Sequence, residues 1–378
     1  MSRIYLDYNA TTPLEPRARA AMEPYLDPRG NPSSLHAEGR SARAAVDLAR
    51  ERIAALLRVQ PREIVFTASG SQSDTLGVVG LARGLQKKGR HLICSAVEHP
   101  AVLKSMAFLE EEGFTVCRAP VDRFGAVRLE ALEESFRPET TLVSILSASN
   151  EIGTRQPMRA IGELCEERGV VFHSDVVQSA GKEELCFAHW GVSSASLAAH
   201  KFGGPLGGAL LYVRAGLPLD RVIFGGEQEG SRWAGTENVA AIVGMAEALA
   251  CAEEERENEA VRQRELTELL WHRIADLPRV VRWGDPVERL SNTLAVSCSA
   301  LDGENLLIGL DLEGIAVSGG AACSSGTLRP SPVLLALGAS EAEARSMVRF
   351  SLGKGVGPAD IEESAARFRK VVLEQLAG

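Results

Sequence analysis

The chain has 378 residues, 45% apolar and 24% charged, a composition that excludes a disordered chain. Its 41 basic and 50 acidic residues leave a net charge of −9, which argues against direct nucleic-acid binding, since that needs a basic surface. No apolar run reaches membrane-spanning length, and the opening MSRIYLDYNATT lacks the basic-then-apolar order of a signal peptide, so a cytoplasmic protein is expected. Through the first two-thirds of the chain, short apolar runs alternate with helical patterns. Residues 41–59 keep a helical period in Val46, Ala49, Ile53, Leu56 and Leu57. EIVFTASG, HLICSAVEH, FTVCRAPVD, TLVSILSASN, VVFHSDVVQ and ALLYVR read as strands. Such alternation predicts an α/β fold with a mainly parallel sheet covered by helices on both faces.

After about Ala250 the pattern changes. The charged run EEERENEAVRQRELTELLWHRIADL reads as a long helix with a solvated face, joining two domains. NTLAVSCS, IAVSGG and VRFSLG follow as strands, and a closing helix carries Ile361, Ala365, Phe368, Val372 and Leu376 on one stripe. The expected organisation is a large α/β domain over residues 15–255 and a smaller α+β domain built from 1–14 and 256–378.

Seven cysteines fall at 94, 117, 165, 186, 251, 298 and 323; none forms a C-x-x-C pair, and their spread suits neither a disulfide framework nor a zinc site. Cys94, Cys117 and Cys298 sit in apolar runs, where cysteine acts as a small buried hydrophobe. Cys323 is different. It lies among glycine, alanine and serine in SGGAACSSGTLRPSP, outside any strand or helix pattern.

Chemistry gathers where strands end in open α/β sheets. Asp175, in HSDVVQSAGK, directly follows an apolar strand, and Lys201, in AAHKFGGP, follows another beside glycines that allow close backbone approach. Alone, the acid reads as a helix cap and the lysine as a surface charge. Together they suit pyridoxal 5'-phosphate (PLP), whose enzymes use a Schiff-base lysine and an aspartate paired with the pyridine nitrogen. TASGSQSD after EIVF offers glycine, hydroxyls and a strand-to-helix turn for a phosphate. The chain has no P-loop lysine motif and no G-x-G-x-x-G. His36 reads as a structural hydrogen-bonder and His91, His189 and His272 as surface or core residues. His173 is expected to face away from Asp175 by strand alternation.

Nine blocks in order, YLDYNATT, GNPSSLHAEGR, VEHPAVL, SNEIGTRQPM, HSDVVQSAGK, AHKFGGP, GTENVAAIVG, SGGAACSSG and RFSLG, run nearly end to end. With them the chain resembles the cysteine desulfurases, PLP enzymes of the class V aminotransferase type, in the subgroup with a long catalytic loop. The resemblance implies the aspartate-aminotransferase-like fold of PLP-dependent transferases. It also implies conversion of L-cysteine to L-alanine, with sulfur carried as a persulfide on Cys323 to an acceptor or iron–sulfur scaffold protein. Lys201 is implied to hold PLP, Asp175 to pair with its ring nitrogen, and Gln178 to bind its phenolic oxygen. His99 is implied to stack on the ring and move a proton. Gly70, Ser71 and His200 are implied at the phosphate, with Thr236 reaching the phosphate of the other subunit of a homodimer. Asn150 and Arg349 are implied to hold the substrate, Arg349 as a fork on its carboxylate.

Five positions depart from the family pattern: Ser71 replaces a threonine, Gln72 an acid, Ala198 a serine, Trp233 a basic residue and Pro332 a histidine. The missing Ala198 hydroxyl predicts weaker PLP retention. Two other readings compete: a related PLP lyase or aminotransferase, such as one acting on selenocysteine, and a weakly active scaffold subunit in sulfur transfer. The thiol at Cys323 speaks against the first, since neither lyase chemistry nor transamination requires it.

Overall fold

The computed structural model describes residues 3–27, 29–320 and 329–377. In chain order its strands are β1 Ile4–Tyr5, β2 Ile64–Thr67, β3 His91–Ser95, β4 Thr115–Ala119, β5 Thr140–Ser144, β6 Val171–Asp175, β7 Ser194–Ala198, β8 Ala209–Val213, β9 Val280–Trp283, β10 Thr293–Cys298, β11 Ile315–Ala316, β12 Ser318–Gly319 and β13 Met347–Ser351. β2 to β8 form one sheet in the order β2-β8-β7-β6-β5-β3-β4. β8 runs antiparallel to both neighbours, and the pairs from β7 to β4 are parallel. Every residue of β3, β5, β6, β7 and β8 is buried, as strands covered on both faces must be.

One face of this sheet packs on the helix Ala37–Leu57 and the first half of the helix Val239–Ile274, around Val46, Ile53, Phe172, Met245 and Leu249. The other carries the helical run from Gly70 to Leu85 and the helix Pro100–Glu111, around Leu76, Leu81, Leu92, Met106 and Leu109. The helix Ala37–Leu57 is shifted from its expected span. His36 caps it, its side chain accepting from Gly39 N, and Arg58 ends it in the left-handed region at φ 56°.

A second, antiparallel sheet has the order β12-β13-β10-β9, and β1 pairs in parallel with β11. Its core holds Leu6, Leu294, Val296, Phe350 and Phe368, with Leu266, Leu270 and Ile274 from the far half of the helix Val239–Ile274. That helix has 36 residues and changes core between Ala252 and Leu266. The rings of Phe350 and Phe368 meet edge to face at 5.5 Å, a geometry worth about 0.5–1.5 kcal/mol beyond burial. Among the described residues, no helix is long and apolar enough to cross a membrane.

Candidate active site

The carboxyl ends of the parallel strands open into one site. Asp175 is the last residue of β6, and its backbone pairs with Ser196 of β7, five residues before Lys201. A 3₁₀ turn, Ala199–Lys201, follows β7 directly and lifts the lysine over the sheet end. Val177 N donates to Asp175 Oδ1 at 2.9 Å. Burial, then the neighbouring Asp74 carboxyl, push Asp175 up to about 7. The Lys201 amine donates to the carbonyls of Asn9 at 2.6 Å and Ala10 at 2.9 Å. Burial, then the Arg349 charge, bring it down to about 8, against the pull of Asp175 and Asp7.

His99 caps the helix Pro100–Glu111, its Nδ1 accepting from Ala101 N at 3.2 Å. Burial lowers its pKa, so the neutral ring carries its proton on Nε2. Donor atoms of His99, Asp175 and Asp74 all lie within 4.8 Å of one another. Gln178 is buried, with Nε2 donating to Asn9 O at 3.1 Å and Oε1 accepting from Lys182 Nζ at 3.4 Å. Lys201, Asp175, His99 and Gln178 thus converge.

The end expected to bind an anion lies at the turn after β2. Ser69 caps the helix Gly70–Thr75, and Ser71 is exposed in its first turn. Gly70 is pressed close: an added Cβ would lie 3.1 Å from Val177 Cγ2 and 3.4 Å from Ala198 Cβ. His200 Nδ1 pairs with Thr11 Oγ1 at 3.2 Å, and burial with the Lys201 and Lys182 charges lowers it to about 4. Gln72 takes over a local task, its Oε1 accepting from Ala68 N at 2.9 Å. Trp233 packs on the core beneath β2, and Thr236 is exposed.

The opposite wall comes from distant segments. Arg349, buried on β13, donates from Nη2 to Asp7 Oδ1 at 2.7 Å and from Nη1 to the Asn150 carbonyl at 3.0 Å. Its Nε is buried with no partner among the described residues, a donor left over for an anion. Cys323 lies outside the described residues. Flanking that segment, Ser318 Oγ donates to Asp7 Oδ2 at 2.8 Å, and the Ser331 hydroxyl to the half-buried Glu151 carboxyl.

Two expectations need correction. His173 does not face away from Asp175, because residues two apart on a strand share a face. It is fully buried with Nε2 3.8 Å from Asp74 Oδ1, and burial lowers it to about 4. Cys117 is only half-buried, because β4 is an edge strand, whereas Cys94 and Cys298 are buried. Sequence reasoning also missed Asp7, Asn9 and Asp74. Asp7 and Asn9 had a signal in the quoted YLDYNATT block; Asp74 follows the phosphate-loop serines by one turn.

The amine, the acid and the anion-ready helix start together can hold a phosphorylated carbonyl compound and form an imine with it. A family model for aminotransferase class-V matches residues 4–363. A cysteine desulfurase IscS from Dictyoglomus turgidum is 42% identical over 355 residues, covering 93% of this chain and 89% of that protein. A solved NifS-like protein superposes with a TM-score of 0.93 at 34% identity, covering 98% of this chain and 100% of that one. A structure of SspA in complex with cysteine is 35% identical, with a TM-score of 0.81, over 92% of this chain and 98% of that one. PLP dependence is a general property of this family, and the α/β architecture is that of its solved members. The chain belongs to the class-V aminotransferase family and, within it, to the cysteine desulfurases.

Proposed function

We propose that the protein is a PLP-dependent cysteine desulfurase that converts L-cysteine to L-alanine and passes the sulfur on from Cys323. The observation that carries this reading is the convergence of Lys201, Asp175 and His99 beside the helix start at Gly70. The donor set fits PLP. Lys201 supplies an amine largely neutral above pH 8, Asp175 a carboxyl for a ring nitrogen, and Ser71 with the N–H groups around Gly70 an anion site. Bound PLP withdraws electrons from the Cα of an amino acid joined to it.

Asp175 gives up its proton when a cation lies beside it, since opposite charge favours the carboxylate. His99 would lie against the cofactor and donate from Nε2. Gln178 would donate from Nε2 to the phenolic oxygen, since Lys182 engages Oε1. His200, neutral at physiological pH, binds phosphate as a hydrogen-bond partner. Arg349, through the Nε that has no partner among the described residues and neighbouring Nη2, grips the substrate carboxylate beside Asn150. Lys201, as a free amine, would take the Cα proton. The Cys323 thiolate attacks the substrate sulfur: an S–S bond forms and the C–S bond breaks. The electron pair of the broken bond stays on carbon and ends, protonated, in alanine.

The sulfur goes to an acceptor protein, of iron–sulfur assembly or of a thiolation route. In this reading residues 15–255 form the PLP-binding domain, and 1–14 with 256–378 the small one. The protein acts in the cytoplasm as a homodimer, with Thr236 reaching across to the partner's phosphate. Purified protein given PLP and L-cysteine is expected to release alanine, and Cys323→Ala to lose that activity. Alanine release by Cys323→Ala at the unaltered rate contradicts the reading.

A further inference from the structure

The YLDYNATT block gives the site more than a short strand and Asp7: its Asn9 is 1% exposed and fully engaged. Asn9 N donates to Ser351 Oγ at 2.9 Å, and Nδ2 donates to the Asn150 carbonyl at 3.2 Å and to Thr293 Oγ1 at 2.9 Å. Oδ1 accepts from Asn292 Nδ2 at 2.9 Å. One side chain thus ties the substrate loop to β10, and the backbone N–H ties it to β13. The carbonyl of this clamped residue accepts from both Lys201 Nζ and Gln178 Nε2. Thr12 staples the same segment to the lysine turn: its N–H and hydroxyl donate to His200 O, and its Oγ1 accepts from Gly203 N.

We infer that Asn9 is a positioning residue that holds the free amine of Lys201 in its reactive orientation. The inference rests on the PLP reading above and goes beyond it. A neutral amine has two N–H donors and one lone pair. With both donors given to the carbonyls of Asn9 and Ala10, the lone pair takes the remaining direction, away from that segment. Attachment then bonds the Lys201 nitrogen to the PLP aldehyde carbon, and the aldehyde oxygen leaves as water with two protons. Since those donors are lost in the product, the cradle acts on the free amine and not on bound phosphate.

Asn9→Ala is a fair test because its partners keep other hydrogen bonds. The Asn150 carbonyl keeps Arg349 Nη1, Asn292 Nδ2 keeps the Leu352 carbonyl at 3.3 Å, and Thr293 Oγ1 keeps Asn292 Oδ1 at 3.0 Å. Apoprotein is mixed with rising concentrations of PLP, and covalent attachment is followed by its visible absorbance, with Lys201→Ala as the blank. Asn9→Ala is expected to lower the rate at saturating PLP about tenfold or more, the scale on which small misplacements of a reacting group act. The PLP concentration for half-saturation is expected to stay within about twofold, since the phosphate contacts are untouched. Thr293→Val, which removes one acceptor of the clamp, is expected to give a smaller fall of the same kind, and serves if Asn9→Ala does not fold. A saturating rate equal to the natural protein's, or a change in half-saturation alone, overturns the inference. If the natural protein attaches no PLP at Lys201, the functional reading falls first and takes this inference with it.

Discussion

Asp175, Lys201 and His99 stand within a few residues of a strand end of one sheet, each placed by its own short stretch of chain. Asp7, Asn9, Asn150 and Arg349 meet from segments as far as 342 residues apart, and they form a wall only when β13 and β10 have folded against the N-terminal residues. The sheet side carries the groups whose charge state matters: a lysine brought down to about 8 and an aspartate pushed up to about 7. The wall carries a paired arginine whose Nε has no partner among the described residues. Under the proposed function the difference separates tasks: the sheet side would govern chemistry, and the wall which molecule is held and how the amine is aimed.

Substitutions sharpen that division. The largest effect is expected at Lys201→Ala, with PLP attachment abolished and alanine formation down about 1,000-fold or more. In the natural protein the attachment rate is expected to climb with pH through about 8 and flatten above it, because only the neutral amine reacts. A climb continuing to an ordinary lysine pKa contradicts the buried setting. Next comes Asp175→Asn, which keeps shape and removes charge; kcat is expected to fall roughly 100-fold with KM little changed, the reach of one preorganised electrostatic partner. Arg349→Lys keeps charge and loses the fork, so KM for L-cysteine is expected to rise about tenfold with a smaller effect on kcat. Equal loss of kcat at Arg349 would erase the distinction between sheet and wall. The smallest effect is expected at Ala198→Ser, in the tight contact of Val177, Ala198 and Ala209. One added hydrogen bond, with a net worth of about 0.5–1.5 kcal/mol, is expected to tighten PLP binding about three- to tenfold. Unchanged affinity by equilibrium titration shows that the lost hydroxyl is immaterial.

The sheet side is legible in the sequence because a buried parallel strand announces itself as an apolar run, and its last residue faces the site. VVFHSD and SLAAHK therefore point to Asp175 and Lys201 without coordinates. The wall is legible only in part. Asn9 carries no reactive group and works through its backbone carbonyl, which no residue pattern marks. Asp7 and Arg349 look like an ordinary ion pair until their contacts with Ser318 and Asn150 appear. His173 was hidden by a misapplied alternation rule, since its two-residue spacing from Asp175 puts both on one face. β9 went unrecognised because VVRW is short and half-exposed at a sheet edge.

The most direct test of the account is the mass of Cys323 after a brief exposure of PLP-loaded protein to L-cysteine, compared with Lys201→Ala under the same conditions. The account predicts one added sulfur atom on Cys323 in the natural protein and none in the variant. Sulfur absent from Cys323 in a protein that still forms alanine, or present to the same extent without the Lys201 amine, contradicts it.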